Sequence, residues 1–401
     1  MGLKILMISC NVSFSGGEGI YITKLSRVLE NGGHRVINLI LTNSQYLENK
    51  ILPLNSIQIK YHSKNNLQHL LSENIINIKV YSEIRKIIIS FNPDVIHLHE
   101  TKLAKTILLA SRGIPKIQTF HGISSVFPLY DLFFKINPKT RYSGEIKLNY
   151  HKLINIKFRT LFFDFFLFDN NRIKKKIIKY FLCPSKHLTN MCKNAGFKNV
   201  IYFPYFQEVY ANKPNKINSN YLLFVGRLSK IKGVDLLLKA FKISKVENKN
   251  LKLIIVGDGE ERKNLIKLSN ELGINEHIKF VGWIDNSNLS KYYKNSLAVV
   301  IPSIYPEVSP LVAYEAMSFS KPIIGFDIGG LSDLIKDGIN GYLINREDIM
   351  SMAEKINSLA KNIPLSISMG NNGRKILEQN WSKKRHVDNL IKLYKSIILS
   401  R

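Results

Sequence analysis

The stretch Pro306-Glu-Val-Ser-Pro-Leu-Val-Ala-Tyr-Glu-Ala-Met317 contains two carboxylates, Glu307 and Glu315, with seven residues between them. Prolines on both sides of the first carboxylate disfavour a helix there, whereas Leu311–Phe319 reads as a helix. The unpaired N–H groups and the dipole at a helix N-terminus attract phosphate. We therefore predict that this terminus binds a phosphate group, while the two carboxylates accept hydrogen bonds from hydroxyls, as on a ribose and a sugar.

Composition limits the class of protein. The chain has 401 residues, is 45% hydrophobic and 22% charged, and its length favours two or three globular domains. Its formal net charge of +28 attracts polyanions, which are either nucleic acid or an anionic membrane surface. No zinc-finger or RNP motif occurs, so we expect no nucleic-acid partner. An AT-rich genome, which enriches Lys, Asn and Ile, is an alternative origin of the charge.

The cysteines and the apolar segments indicate a cellular compartment. Cys10, Cys183 and Cys192 are scattered, which favours reduced thiols and argues against a disulfide framework or a zinc site. The apolar run at the N-terminus is too short for a signal peptide, and no stretch reaches the roughly 18 apolar residues of a spanning helix. We therefore expect a cytoplasmic protein, peripheral on the inner face of the plasma membrane.

Buried strands alternate with helical patterns, and the alternation occurs twice. The first set of predicted strands is Lys4–Ser9, Val36–Leu41, Val95–Leu98, Lys116–Phe120 and Lys179–Cys183. After a polar stretch the second set is Leu222–Val225, Lys252–Val256, His277–Phe280, Ala298–Ile301 and Pro322–Gly325. This order is typical of α/β proteins with parallel sheets that bind ligands at the carboxyl ends of their strands.

We therefore predict two doubly wound Rossmann-like domains that face each other across a cleft. The first domain would comprise residues 1–205, the linker 206–220 and the second domain 221–383. The segment Val126–Lys176 does not fit the alternation, because it mixes Phe and Tyr with Lys and Arg. Such a segment either lies in a bilayer interface or forms amphipathic helices packed on its own domain.

Candidate ligand-binding residues of the second domain follow its strands. Arg227 and Lys232 lie in Gly226-Arg-Leu-Ser-Lys-Ile-Lys-Gly233, directly after the first strand, and suit a diphosphate. Gly257 follows the next strand and permits close approach of a ligand. Trp283 follows the third strand, and either flanks a nucleobase or is a buried edge aromatic.

The first domain has its own candidates. Gly16 and Gly17 lie between the first strand and a helix, where a phosphate would approach. The loop is not G-x-G-x-x-G, and the second strand lacks the acidic residue that binds a ribose, which argues against an NAD-dependent enzyme. His121 ends a strand and would face the cleft, whereas His97 and His99 are interpreted as mainly structural. No cluster has metal-ligand spacing.

Together these motifs resemble the retaining glycosyltransferases of family 4, of the bacterial polysaccharide-biosynthesis type, which have the GT-B fold. The resemblance covers nearly the whole chain. Beyond the motifs already quoted, it includes Lys321-Pro-Ile-Ile324, Gly329-Gly-Leu-Ser-Asp333, Asp337-Gly-Ile-Asn-Gly341 and Trp381. The resemblance also implies that a final helix, 384–401, packs back on the first domain. It implies a catalytic set of Glu307, His121, Arg227 and Lys232 and a donor-binding set of Gly16, Gly17, Arg227, Lys232, Gly257, Trp283, Glu307, Ser309, Leu311, Val312 and Glu315.

The resemblance also implies individual roles. Arg227 and Lys232 would hold the donor diphosphate, Glu315 would bind the ribose, and Glu307 and His121 would contact the transferred sugar. The family often has Gly at position 310, and this chain has proline there, so an amide contact would shift to Ser309, Leu311 or Val312.

The expected activity is retaining transfer of a hexosyl group from a UDP- or GDP-sugar, without metal or cofactor. The acceptor would be a lipid-linked saccharide in surface polysaccharide or lipopolysaccharide biosynthesis, and the segment Val126–Lys176 would contact an anionic membrane. Two alternatives remain. A GT-B nucleotide-sugar epimerase would act without an acceptor, and a catalytically silent, membrane-associated scaffold would not hydrolyse a donor.

Overall fold

The computed structural model describes residues 2–10, 16–43, 52–61, 76–99, 103–126, 171–209, 220–245 and 249–400. The chain divides into two compact units. The N-terminal unit comprises Met1–Pro184, Leu188–Phe203 and Asn389–Arg401, and the C-terminal unit comprises Ser185–His187 and Pro204–Asp388. Most of the aromatic segment predicted to contact a membrane, residues 127–170, lies outside the described residues.

The N-terminal unit is built on a seven-stranded parallel sheet with the order β3-β2-β1-β4-β5-β6-β7. Its strands are β1 (Lys4–Cys10), β2 (Arg35–Asn43), β3 (Ser56–Tyr61), β4 (Val95–Leu98), β5 (Lys116–Thr119), β6 (Tyr180–Cys183) and β7 (Val200–Tyr202). The central strands are buried on both faces and consist largely of Ile, Leu and Val. This composition is typical of parallel sheets that are covered by helices on both sides.

Helices of the N-terminal unit connect these strands. Among the described residues they are α1 (Gly17–Asn31), α2 (Ile78–Phe91), α3 (Ala104–Ala110) and α4 (Lys186–Asn194), together with the helical residues 171–177. The first two residues of α4 are grouped with the C-terminal unit. The helix α1 buries Tyr21, Ile22, Leu25 and Leu29, whose spacing of three and four residues places them on one face. The helix α2 begins at the cap residue Asn77, whose side chain accepts a hydrogen bond from the amide of Val80.

The C-terminal unit has a six-stranded parallel sheet with the order β10-β9-β8-β11-β12-β13. Its strands are β8 (Tyr221–Val225), β9 (Lys252–Val256), β10 (Ile278–Gly282), β11 (Ala298–Ile301), β12 (Ile323–Phe326) and β13 (Gly341–Ile344). Its helices are α5 (Val234–Lys245), α6 (Arg262–Glu271), α7 (Asn286–Asn295), α8 (Leu311–Ser318), α9 (Leu331–Leu334), α10 (Ile349–Lys361), α11 (Ile363–Asn380) and α12 (Lys383–Leu399). Residues of α12 from Asn389 onward belong to the N-terminal unit.

Two doubly wound α/β units with parallel sheets confirm the predicted fold class. The ten predicted strands exist, with ends that coincide or differ by at most two residues. Three strands were not predicted: β3, β7 and β13. They are short or partly exposed edge strands, so their residues lack the continuous apolar run that identified the others. Among the described residues, no helix is long and apolar enough to cross a membrane.

Each sheet has one position where the strand order reverses. In the N-terminal unit the reversal lies between β1 and β4, and in the C-terminal unit it lies between β8 and β11. The chain crosses to opposite faces of the sheet from these two strands, which leaves a crevice outside their carboxyl ends. Ligand sites in open α/β sheets occur at this position.

Candidate functional site

In the C-terminal unit, the loop after β8 carries two of the predicted cations. Arg227 is exposed, and Lys232 ends a short 3-10 turn, Lys230–Lys232. Gly233 follows with a φ of 64°, and a Cβ atom at this glycine would lie 2.0 Å from the carbonyl oxygen of Pro302. Only glycine permits this approach, so the turn packs directly on the residues that follow β11.

Glu307 lies in that second loop and contacts Lys232. The ammonium group of Lys232 and the hydroxyl of Ser303, the latter at 2.7 Å, both donate hydrogen bonds to Oε1 of Glu307. Burial acts to raise the pKa of Glu307, but Lys232, Ser303 and Arg227 outweigh it and lower the pKa below its usual value. The carboxylate is therefore ionised, and among the described residues no hydrogen-bond donor contacts Oε2.

The backbone of the Glu307 loop is fixed by a neighbouring glycine pair. The amide of Gly330 donates to the carbonyl oxygen of Glu307 at 2.6 Å. A Cβ atom on Gly330 would lie 1.9 Å from the carbonyl oxygen of Val308, and one on Gly329 would lie 2.5 Å from that of Glu307. The Gly329-Gly330 dipeptide is thus part of the support for this loop, and only its sequence similarity to the family had indicated it.

The helix α8 begins directly after this loop. Its N-cap is Pro310, and the first amides of the helix, those of Leu311 and Val312, precede the first intrahelical hydrogen bond. The hydroxyl of Ser309 forms a buried hydrogen bond of 2.9 Å with the phenol of Tyr314. The Ser309 hydroxyl is therefore already hydrogen-bonded within the unit. The predicted phosphate contacts of this segment would be made by its backbone amides.

Glu315 lies one turn inside α8, as predicted. The phenol of Tyr293 on α7 donates to Oε2 of Glu315 at 2.7 Å. Tyr293 is buried and stacks on Phe319 with 5.3 Å between ring centroids, so its hydroxyl is held in place. Tyr293 was not identified from the sequence, because a tyrosine in an amphipathic helix has no motif that distinguishes it from a core residue.

The other two predicted contacts of this unit have different surroundings. The amide of Gly257 donates to the carbonyl oxygen of Gly282 at 2.8 Å, and a Cβ at position 257 would lie 1.9 Å from the oxygen of Gly226. The glycine is thus required by contact between two loops, whether or not a ligand also approaches. Trp283 is 63% exposed, so its interpretation as a buried edge aromatic is wrong. Its contact with a nucleobase stays a prediction.

In the N-terminal unit, Gly16 and Gly17 form the start of α1. Gly16 is the N-cap in an extended conformation, and its carbonyl oxygen accepts from the amide of Ile20 at 3.0 Å. The preceding residues, 11–15, lie outside the described residues. The helix start thus follows β1, next to the reversal in strand order, where an anion would meet its first amides.

Three histidines line up at the carboxyl ends of β4 and β5 in the same unit. The ring of His99 stacks on His97 at 4.4 Å and on His121 at 5.1 Å, and Nδ1 of His99 lies 2.9 Å from Nε2 of His121. His97 bonds to the hydroxyls of Thr119 and Tyr394, each at 2.7 Å. His97 is therefore structural, as predicted, but His99 directly contacts the candidate site residue His121.

Burial keeps this row neutral. It lowers the pKa of His121 to about 3, with His97 adding to the shift, and it lowers the pKa of His99 well below its usual value, with His121 adding. Neither imidazole carries a charge near neutral pH. An imidazole in this state offers one hydrogen-bond donor and one acceptor.

Buried neutral histidines predict loss of stability in acid. In α12, burial lowers the pKa of His386 to about 3, although the carbonyl oxygen of Pro204, which accepts from Nδ1, opposes the shift. The unfolded chain would protonate this group below about pH 6.5, so the unfolded state binds more protons and stability falls as the pH falls from there toward 3. Each such group contributes a slope of about 1.4 kcal/mol per pH unit.

Urea midpoints measured between about pH 7.5 and pH 5 should therefore decrease, because of this linkage. His386→Asn retains a donor for Pro204 and cannot titrate, so the decrease should be smaller in this variant. If the urea midpoint fell with pH equally steeply in His386→Asn and in the unmodified chain, the His386 ring would not be buried in the neutral form.

The family follows from comparison of the chain with known proteins. Residues 15–192 match the family described as Glycosyltransferase Family 4, and residues 206–376 match the family described as Glycosyl transferases group 1. The two matches do not overlap and together cover most of the chain. The protein therefore belongs to glycosyltransferase family 4, as the sequence motifs had indicated.

Similar curated proteins include several glycosyltransferases. Uncharacterized glycosyltransferase MJ1178 of Methanocaldococcus jannaschii is 28% identical over 392 residues, 95% of both chains. MJ1607 of the same organism is 33% identical over 175 residues, 43% of this chain and 44% of the relative. The capsular polysaccharide biosynthesis glycosyltransferase CapM of Staphylococcus aureus is 29% identical over 231 residues, 56% of this chain and 60% of CapM. For MJ1607 and CapM, the aligned region is thus less than two thirds of the relative's length.

Solved structures show the same fold at low sequence identity. Sucrose-phosphate synthase from Thermosynechococcus elongatus aligns with a TM-score of 0.76, 17% identity and full coverage of both chains. HepE from Anabaena in complex with UDP and glucose aligns with a TM-score of 0.70 and 18% identity over 98% of this chain and all of HepE. The lipopolysaccharide outer core galactosyltransferase WaaB aligns with a TM-score of 0.67 and 17% identity over 99% of both chains. These likenesses establish a GT-B fold.

Proposed function

We propose that this glycosyltransferase transfers a hexosyl group from a UDP- or GDP-sugar to a lipid-linked saccharide, with retention of configuration. The observation that carries the proposal is the contact of Lys232 and Ser303 with one oxygen of the Glu307 carboxylate, beside Arg227 and the start of α8. This cluster combines positive charge, free helix amides and a carboxylate acceptor, which are the groups that a sugar linked to a diphosphate requires.

The positive groups suit the leaving group of the reaction. Departure of a nucleoside diphosphate develops negative charge on its phosphate oxygens. Arg227, Lys232 and the amides at the start of α8 supply positive charge and hydrogen-bond donors there, and they need no reorganisation as the charge develops. This electrostatic stabilisation is the reason that we propose transfer without a metal ion.

The carboxylates suit hydroxyl groups. Oε1 of Glu307 accepts two protein hydrogen bonds, which orient the carboxylate so that Oε2 can accept from a sugar hydroxyl. Glu315 is held by Tyr293 and would accept from the ribose. HepE, which shares the fold, binds UDP and glucose, and this supports a nucleotide-sugar donor.

The proposed stereochemistry is the one that the family resemblance implies. We propose that the acceptor hydroxyl attacks the sugar from the face that the diphosphate leaves, and that an oxygen of the departing phosphate takes the acceptor proton. The bond from the anomeric carbon to the phosphate oxygen breaks, and the bond to the acceptor oxygen forms. The names of CapM and WaaB refer to capsular polysaccharide and to the lipopolysaccharide outer core, which supports a surface saccharide as acceptor.

A nucleotide-sugar panel tests the function. Thermal shift should identify the donor, and release of nucleoside diphosphate should then depend on a lipid-linked saccharide acceptor and survive excess EDTA. Glu307→Gln, in which turnover should be strongly reduced, is the control. Turnover of the donor to its epimer without acceptor would favour the epimerase alternative, and absence of donor binding and hydrolysis would favour the scaffold. Loss of activity in EDTA with rescue by Mn²⁺ or Mg²⁺ would overturn metal independence.

A groove in the N-terminal unit supports contact with a membrane. Its volume is about 650 Å³, and it lies at the amino ends of β5 and β6. Leu109 and Ile177 on its wall are 43% and 46% exposed. The described lining is mostly aliphatic, and it includes Leu108, Leu109, Ile114, Ile173, Ile177 and Ile397.

The charges around this groove have one sign. All charged residues in the described lining are cations, namely Lys105, Arg112, Lys116 and Lys179. Lys116 is buried and donates to carbonyl oxygens of the chain, whereas Arg112 and Lys179 are exposed. An apolar groove with a cationic rim fits a bilayer of anionic lipid, to which each exposed cation contributes about 1 kcal/mol. We therefore propose peripheral association with the inner face of the plasma membrane through this groove.

Vesicle binding tests the association. Lys174, in the segment Val126–Lys176 that was expected to contact the membrane, is buried, whereas Lys175 and Lys176 are exposed. Arg112→Glu with Lys179→Glu should remove most of the binding that salt screens, and Leu109→Ser with Ile177→Ser should reduce the part that persists in salt. Co-sedimentation with phosphatidylglycerol vesicles at low and high salt measures both parts.

The matched control changes the same charge elsewhere. Lys239→Glu with Lys263→Glu alters two exposed lysines of the C-terminal unit and should leave binding close to that of the unmodified chain. Equal loss in the control and in the groove variant would show that net charge, not the groove, attracts the lipid. Equal binding to neutral and anionic vesicles would contradict the membrane proposal as a whole.

A further inference from the structure

The contact between His99 and His121 has only two arrangements of protons. In the first, His99 donates from Nδ1 to Nε2 of His121, across the distance of 2.9 Å. In the second, His121 donates from Nε2, and His99 then carries its own proton on Nε2. The two arrangements differ in what is buried at the far side of the His99 ring.

Nε2 of His99 distinguishes them. This atom is buried and has no hydrogen-bond partner among the described residues. In the second arrangement it would be a buried N–H without an acceptor, whereas in the first it is a bare lone pair. Orphaned N–H groups are rarer in folded proteins than acceptors with an unused lone pair. The first arrangement is therefore favoured, and in it neutral His121 carries its proton on Nδ1.

We propose that His99 is a positioning residue that holds His121 in the Nδ1–H tautomer, so that His121 presents a hydrogen-bond donor, not a base, to an oxygen of the transferred sugar. This inference rests on the proposed function, in which His121 contacts that sugar. In this arrangement His121 does not take the proton of the acceptor substrate's hydroxyl group. This agrees with the proposal that the departing phosphate takes that proton.

The surroundings of His99 allow it to act in this way, because they fix its ring. Its amide donates to the carbonyl oxygen of Ile8 at 2.9 Å, and its own carbonyl oxygen accepts from the side chain of Gln118 at 3.2 Å. The ring lies between those of His97 and His121, and Tyr21 contacts it edge-on with 6.3 Å between centroids. The side chain is fully buried, and close packing in a protein interior restricts changes of rotamer.

His97, although stacked on His99, does not have this role. Both of its ring nitrogens are engaged, with the hydroxyls of Tyr394 and Thr119. Hydroxyl groups both donate and accept, so they are compatible with either tautomer. The bonding of His99 is asymmetric, and it therefore favours one tautomer of His121.

Three substitutions of similar size separate the possibilities. His99→Asn places an amide N–H near the position of Nδ1 and can still donate to His121. His99→Asp can only accept when ionised, and would force His121 to donate from Nε2. His99→Leu removes the hydrogen bond. We expect kcat of the asparagine variant to stay within about 3-fold of the unmodified chain, and kcat of the other two to fall by about 10-fold or more.

The tautomer is read directly by NMR. The full chain labelled with ¹⁵N-histidine, with His121→Asn to assign the signals, should show His121 protonated on Nδ1 and bare on Nε2. The same pattern is expected in His99→Asn, and the reverse in His99→Asp. His121 protonated on Nε2, or averaged between tautomers, in the unmodified chain would overturn the proposal. The same tautomer in a folded His99→Leu variant would also overturn it.

This measurement needs no substrate, so the two ideas fail separately. A chain with the expected tautomer that transfers no sugar would contradict the proposed function and leave the proton assignment intact. A chain that transfers sugar with His121 protonated on Nε2 would contradict the role of His99 alone.

Discussion

Lys232→Ala should lower kcat/KM by about 30- to 1000-fold, equivalent to about 2–4 kcal/mol, because it removes one preorganised positive charge from the leaving group. A second effect adds to the first. Among the groups that lower the pKa of Glu307, Lys232 has the largest effect, so its removal should raise that pKa relative to the unmodified chain. The variant should therefore also lose activity at the acidic end of its pH profile before the unmodified enzyme does.

Arg227→Ala tests the other cation and should cost a similar amount. Arg227 is exposed and contributes less to the state of Glu307, so its loss should act mainly on the diphosphate. Lys230→Ala is the matched control, because Lys230 is an exposed lysine on the same 3-10 turn. Steady-state kinetics on folded variants measure all three. If Lys232→Ala or Arg227→Ala kept a kcat/KM close to that of the unmodified chain, the assignment of that residue to the donor diphosphate would be contradicted.

The candidate site shows which kinds of residue the sequence identifies. Arg227, Lys232 and Glu307 occur in spaced motifs next to strand ends, and the structure brings Lys232 and Glu307 into contact. Such residues can be identified from the sequence because parallel strands place their carboxyl ends at one edge of a sheet, where ligands bind. The contact itself was not predicted, since it depends on the close approach of Gly233 to Pro302 across two loops.

The supporting residues are the part that sequence reasoning missed. Ser303 and Tyr293 position the two carboxylates, yet a serine after a strand and a tyrosine in a helix are common in any α/β domain. His99 was interpreted as structural because alternation along β4 gives only its face, not the nitrogen that it directs at His121. Such roles depend on side-chain geometry between elements, which a single sequence does not contain.

Glu307→Gln and Glu315→Gln should separate sugar recognition from nucleotide binding. Glu315→Gln should weaken binding of UDP or GDP by about 10-fold or more, because a charge-assisted hydrogen bond to the ribose becomes a neutral one. Glu307→Gln should leave nucleotide affinity unchanged or raise it, since it weakens the hold of Glu307 on Lys232. Turnover of Glu307→Gln should instead fall by about 100-fold, because the reaction needs the contact of this carboxylate with a sugar hydroxyl. Calorimetry with the free nucleoside diphosphate and kinetics with the donor measure the two effects.

Tyr293→Phe supplies the matched control for Glu315. It removes only the hydroxyl that donates to Oε2 and keeps the ring stacked on Phe319, so nucleotide affinity should fall less than in Glu315→Gln. Equal losses of nucleotide affinity in Glu307→Gln and Glu315→Gln would contradict the separation. In that case Glu307 would serve the diphosphate through Lys232, and the sugar hydroxyl would need another acceptor. The order of nucleotide affinities among these variants therefore decides between two roles of Glu307. Its carboxylate either only supports Lys232 or also binds the sugar.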